Sequence, residues 1–397
     1  MADGQRRKED KKFSEGSTRY VKQKSQGVRN VQRNLCVCCI GSLQARKERR
    51  KEIAFCPDHE IILLFYIGFA MFLPQQGNWK LGMGTGNGTV ISEFILSGFS
   101  GLDQRLQLFL CLLLLLMYLS TVMGNAAIIF LVCVDNRLQT PMYFFIGNLA
   151  FLEIWFASST STKLLVILSS GRRTISVGGC FAQSSFYFAL GAAEFTLLVV
   201  MSFDRYIAIC QPLRYAAIMK HRLCIRLVAA VWVTGFTFLS SRLVLLSKLT
   251  FCGLNKIEHF FCDNTPLFQL SCSDVTLLWK IDSVFILFIV LSSLCLTLAS
   301  YTSIFFCILQ MPAASGRKKA FATCSSHLTT LAIVYGSCIV LYAHPSGHVS
   351  LETNRIVALL NTVLYPFLNP FIYSLRNKVV ILALKEAMAR ATAQLFP

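Results

Sequence analysis

Gln107–Cys133 reads QLFLCLLLLLMYLSTVMGNAAIIFLVC, a run without one charged side chain. About 20 apolar residues in a helix cross the hydrocarbon of a bilayer, so this run is long enough to span one. Six further apolar blocks follow, at 141–165, 181–203, 225–246, 281–309, 321–343 and 354–374, separated by short polar and basic stretches. The chain is 54% hydrophobic and only 15% charged, which excludes an ordinary soluble domain, where charged residues approach about a quarter. An open backbone in lipid would leave amides unpaired, so each block is expected to be helical. The expected fold is an all-α membrane protein: a seven-transmembrane helix bundle with an extracellular N-terminus and a short cytoplasmic C-terminal helix.

A net charge of +18 raises the question of nucleic acid. The basic residues gather in the first 82 positions and in the loops on one side of the spans, where lysine and arginine mark topology, and no nucleic-acid partner is expected. Sixteen cysteines do not make a disulfide scaffold in a chain this long, because several (Cys111, Cys133, Cys295, Cys307 and Cys338) lie within spans as small hydrophobes. Residues 1–52 are polar, with charge clusters such as Arg46-Lys47-Glu48-Arg49-Arg50-Lys51, and lack the apolar content of a core. The apolar run Ile61–Leu73 behind them resembles the hydrophobic part of a signal sequence. Either 1–82 is a cytosolic leader ending in a signal anchor, or it precedes a translation start at Met83. The second is expected, since its 16 lysines and arginines would oppose export of the amino end. The chain then divides into a basic leader, 1–82, and a membrane domain, 83–397. Asn87-Gly88-Thr89 is a glycosylation sequon and is expected outside the cell. The loops near 134–140, 204–224 and 310–320 and the tail after 374 then lie inside, the more basic side.

Five short motifs sit at span boundaries. The first block contains Gly124-Asn125, and the second opens with Pro141-Met142-Tyr143-Phe144-Phe145. The third ends in Met201-Ser202-Phe203-Asp204-Arg205-Tyr206-Ile207-Ala208-Ile209-Cys210, and the sixth opens with Lys319-Ala320-Phe321-Ala322-Thr323-Cys324-Ser325-Ser326-His327-Leu328. The seventh ends in Pro366-Phe367-Leu368-Asn369-Pro370-Phe371-Ile372-Tyr373. In this order and at these boundaries, the chain from about 83 to 390 resembles the olfactory receptors among the rhodopsin-like G-protein-coupled receptors.

Chemistry supports the resemblance at several positions. Asp204 beside Arg205 at a cytoplasmic helix end can hold the guanidinium in an ion pair until activation releases it; with Asp204 and Tyr206 attached, this reading outweighs a snorkelling arginine. Pro366 and Pro370 remove backbone hydrogen bonds from the last span and give it a kink. Tyr301, Asn369 and Tyr373 are expected as polar partners in its movement. Glu153 and Glu194 lie within spans, where a charge is costly and functional by default. They are expected to hold Na⁺ or to share a proton, the plainer alternative being a protonated glutamic acid bonded to Asn125 or Asn369.

The resemblance implies more. It pairs Cys180 with Cys262 and Cys252 with Cys272, where spacing alone leaves three connectivities. It places the odorant among Tyr187, Phe188, Gly191 and Ala192 of the third span and Asp282, Phe285 and Ile286 of the fifth. Tyr335, Cys338, Ile339 and Tyr342 of the sixth and Thr362 of the seventh complete that set, which suits a small, mostly hydrophobic volatile molecule. The implied function is an odorant receptor in the plasma membrane that activates a stimulatory-type heterotrimeric G protein and raises cyclic AMP. A chemosensor acting outside the olfactory epithelium is the alternative within the class. A transporter would show internal repeats and paired broken helices, whereas here the prolines cluster in the last span. An intramembrane enzyme would need a metal motif or a nucleophile with its base, and the chain shows neither.

Overall fold

In a computed structural model of the chain, residues 91–99, 101–251, 255–342, 351–374 and 377–395 are described. The leader 1–82, Asn87, Cys252 and the side chain of Tyr342 lie outside that description. Among the described residues, seven helices are long and apolar enough to cross a membrane. The first six spans are α1 (Gln104–Val134), α2 (Pro141–Ser170), α3 (Val177–Cys210), α5 (His221–Leu246), α7 (Thr276–Leu309) and α8 (Ala314–Tyr342). The seventh is built from α9 (Leu351–Leu359), a π-helical turn (Leu360–Leu364) and α10 (Tyr365–Ser374). Short helices α4 (Tyr215–Ile218) and α6 (Asn264–Gln269) lie in loops, and α11 (Lys378–Leu395) follows the last span. The third span runs past its apolar block at both ends because a helix continues through polar residues that hydropathy does not register.

Local signals set several boundaries. Pro141 occupies the first turn of α2, where its missing N–H has no helical partner to lose. Gly171 ends that helix at φ 67°, a left-handed cap open to glycine. Ser176 caps α3 by accepting the N–H of Gly179 at 3.1 Å. Rows of leucine and phenylalanine on the first and fifth spans point outward, Leu116 and Phe288 among them. Polar side chains such as Thr121, Asn125, Asn148, Glu153, Thr330 and Asn369 turn inward. That inversion is what a hydrocarbon solvent selects.

Pro370 has no N–H to answer the carbonyl of Pro366 one turn earlier. Asn125 answers it instead, its side-chain amide donating to Pro366 O at 3.3 Å and to Thr121 O at 2.9 Å. Gly124, the preceding residue, lets the first span approach: a Cβ there would meet Cγ of Pro370 at 2.9 Å.

The end of the bundle expected outside carries a cap that departs from the all-α pattern. Strand β1 (Glu93–Leu96) lies between β2 (Thr174–Ser176), antiparallel with Phe94 opposite Ile175, and β3 (Lys256–Ile257), parallel with Leu96 opposite Ile257. Alternation along β1 sends Phe94 and Leu96 into a core with Leu246, Ile257, Leu267 and Phe268, and the Cys180–Cys262 disulfide is buried in the same cluster. Cys272 is also disulfide-bonded.

Gly124→Ala is expected to cost about 1–3 kcal/mol as overpacking against Pro370. The check is the thermal midpoint of the solubilised protein, and a midpoint equal to that of the native chain would show that the seventh span yields freely.

Candidate functional site

At the cytoplasmic end of α3, Asp204 and Arg205 form a buried ion pair. Tyr215 of α4 donates to the other oxygen, Oδ1 of Asp204, at 2.8 Å. Burial first, then Asp204, pushes the Tyr215 phenol well above its usual range, so it stays a donor. Asp204 is therefore held from both sides, and Arg205 is turned along its own helix. Tyr206 is half-buried against a cluster of Ile304, Ile308, Ala320 and Cys324 from the fifth and sixth spans. Tyr301 of the fifth span meets Nδ1 of His327 of the sixth at 2.8 Å, and His327 is fully buried. Ser326 next to it donates to Ile372 O of the seventh span at 2.7 Å. Tyr373 is buried in the same end of the bundle, beside Thr330. Helix α11 is tied back through Arg137, which bonds Asp135 and Glu386.

One level deeper, Asn369 donates to Oε1 of Glu153 at 2.8 Å. Of the two amides expected near that carboxyl, Asn125 is the one engaged elsewhere, on Pro366. Glu194 lies close by, and the Tyr365 hydroxyl faces both acids. Oε2 of Glu153, Oε1 of Glu194, Oδ1 of Asn125 and Oδ1 of Asn369 are buried without a well-formed hydrogen bond.

The residues implied for the odorant are spread over several places in the bundle. Phe188, Ala192 and Ile286 pack together with Ala189 and Phe238. Tyr187 lies in tilted contact between Phe156 and Phe261, with ring centroids 5.1 and 4.9 Å away. Tyr335 is buried nearer the centre against Phe195, its hydroxyl 3.5 Å from that of Thr297. A Cβ built on Gly191 meets nothing within 4 Å, so space is open there. Cys338 is half-buried, and Thr362 is fully buried with its hydroxyl on Ala358 O. Phe285 and Ile339 are 46% and 59% exposed, and Phe285 meets the ring of Phe238 edge-on, with centroids 6.1 Å apart.

Asp282 differs most from expectation. Implied as a ligand contact, it is ion-paired with Arg242 of the fourth span and bonded to Asn264 of the loop. Arg242, Asn264 and Tyr215 were not singled out from sequence. For Arg242 a signal existed, since the reasoning that marked Glu153 and Glu194 as charges within spans applies equally to it.

A family model described as Olfactory receptor matches residues 110–391. The chain belongs to the olfactory receptor family. It is 47% identical to olfactory receptor 6E1 of Mus musculus over 77% of this chain and 97% of that relative. To olfactory receptor 6X1 of Homo sapiens it is 44% identical over 76% and 96% of the two chains, and to olfactory receptor 6J1 of Homo sapiens 47% over 79% and 88%. This olfactory receptor is thus a multi-pass membrane protein with a chemosensory, G-protein-coupled role, and it is not an enzyme.

The receptor's cap also holds a titratable group. His259 is fully buried, its ring 4.6 Å from those of both Phe260 and Phe261. Burial, then the charge of Arg355, pushes its pKa down to about 3. The unfolded ring titrates at about 6.5, so the cap's stability is complete above that value and is lost as pH falls from there toward 3. Burial of Asp263 raises its pKa, which works in the opposite sense. A His259→Asn receptor is therefore expected to lose less thermal stability than the native chain between about pH 7 and 5. Equal losses in the two proteins would remove His259 as the cause.

Proposed function

We propose that this receptor binds small, mostly hydrophobic odorants inside the bundle, between the cap and Tyr335, and activates a stimulatory-type G protein that raises cyclic AMP from the plasma membrane. The observation that carries the reading is the closed arrangement around Arg205. Its guanidinium is held by Asp204, Asp204 is held by Tyr215, and the fifth and sixth spans are bridged by Tyr301 and His327. Such an arrangement has a second state in which the arginine is free for a partner helix. A ligand shifts it by binding that state better. The residues around Phe188, Ala192 and Ile286 are apolar, which fits a ligand of low polarity.

The test is a cyclic-AMP assay in cells expressing the full chain, screened with volatile aldehydes, ketones, alcohols, esters and acids. Arg205→Ala is expected to reach the surface and lose the odorant-driven rise. A native-sized response at equal surface level would refute the role given to Arg205.

Glu153 and Glu194 fit a Na⁺ ion, for which their unsatisfied oxygens and those of Asn125 and Asn369 are suitable hard donors. Bound there, the ion would offset one of the two neighbouring carboxylate charges, with a proton retained on the pair offsetting the other, and would favour the closed bundle. Replacing sodium by choline is expected to raise basal cyclic AMP in the native receptor but not in Glu153→Gln or Glu194→Gln. The same sodium dependence in all three would exclude this site.

A further inference from the structure

The fourth and fifth spans, α5 and α7, each pack along the third far more than on one another. A groove of about 690 Å³ is left between them, walled by Val233, Phe236, Val244, Leu245, Ile281 and Phe285. A polar bridge crosses this gap. Arg242 of α5 donates through Nη1 to Oδ1 of Asp282 of α7, and through Nη2 to Oδ1 of Asn264, the first residue of α6 in the second extracellular loop. Asn264 closes the ring by donating its amide to Oδ2 of Asp282. Ser184 of the third span takes a further bond from Nη2 at 3.1 Å, and the guanidinium lies 4.5 Å above the ring of Phe188. Arg242 is 1% exposed and Asp282 4%.

The ring fixes the amide orientation of Asn264, because its oxygen must face the arginine and its nitrogen the carboxylate. It also commits both oxygens of Asp282. A buried ion pair is on average no more stabilising than apolar side chains of the same volume, so stability alone gives no reason for this one. Its geometry does. Cys262, two residues before Asn264, is already tied to Cys180 at the start of the third span. Strand β3 and the disulfide hold the loop to β1 and to the third span, and the ring adds a direct tie to the fourth and fifth spans. Between the disulfide and the preceding strand stand Phe260 and Phe261, and Phe261 packs on Tyr187.

We propose that Arg242, Asp282 and Asn264 form a latch that seats the second extracellular loop on the bundle and so sets the shape of the odorant chamber. The three are positioning residues for ligand selection and need not touch the ligand. The effect on selection rests on the odorant reading above; the seating of the loop does not.

Three variants of the full chain separate the possibilities. Asn264→Ala frees the loop but leaves the ion pair. The double variant Arg242→Leu with Asp282→Leu removes both charges at similar volume. Arg242→Leu alone strands a buried carboxylate. Two quantities are measured: hydrogen exchange of loop residues 255–272 in the purified receptor, and half-maximal concentrations across the odorant panel named above. The single Arg242→Leu variant is expected to be retained inside the cell, and the double variant to restore surface delivery. Asn264→Ala and the double variant are expected to exchange loop amides about tenfold faster, and to reorder the panel. Unchanged exchange in both would overturn the latch. Faster exchange with an unchanged order of potency would overturn its role in selection. Retention of all three variants would make the cluster a folding requirement and overturn the proposal. A native receptor silent to the whole panel would sink the odorant reading while the exchange result still decides the latch.

Discussion

Between the two faces of a bilayer there is no water to complete an unpaired hydrogen bond, and each polar group must be answered by the chain itself. The seventh span shows the rule at its most demanding. Pro370 withdraws a donor from the carbonyl of Pro366, and the side chain of Asn125, on the adjoining first span and 241 positions earlier in the chain, supplies it. Gly124 is then required for reach. Residues that look like separate motifs in the first and seventh spans are one contact. The same rule accounts for Asn369 on Glu153 and for the closed ring around Arg242.

These satisfied groups are unevenly distributed, and the difference separates the two ends of the receptor. Outside, strands, a disulfide and buried aromatic rings fix the loops through redundant contacts, so the cap behaves as one piece. Inside, the fifth, sixth and seventh spans meet through a small apolar cluster of Ile304, Ile308, Ala320 and Cys324 and through single hydrogen bonds, Tyr301 to His327 and Ser326 to Ile372. Each such bond contributes about 1 kcal/mol net. An end held by a few small terms can exchange partners, whereas one held by a packed core resists it. A rigid chamber above a convertible crevice is the physical requirement for a receptor.

Much of this was legible in the sequence. Hydropathy blocks are local, so all seven spans could be found, and the order of the motifs identified the family and with it the Cys180–Cys262 bond that the structure contains. Local reading reached its limit where partners are distant. Strand β1 and the loop it joins are 162 positions apart at the Glu93–Asn255 contact, and nothing in either short segment announces the other. Arg242 lies within the fourth span, where its charge alone marks it as functional. Its partner, Asp282, is 40 positions later, and only the fold brings the two together. Tyr215 was missed for a related reason: it lies in a loop by hydropathy, and only a short helix brings its hydroxyl to Asp204.

The central strand of the cap has a consequence for how the chain is made. β1 is synthesised before the first of the seven spans, and β2 after two of them, but β3 emerges only once the fourth is complete. Until then the amino-terminal strand waits outside with one edge unpaired and with Phe94 and Leu96 lacking their full cover. The sheet therefore closes late, and it closes only if four helices have been threaded in the right directions. A ribosome-bound chain with one span inverted would leave β3 on the wrong side of the membrane. The small sheet can therefore be complete only in a chain whose first four spans run in the right directions.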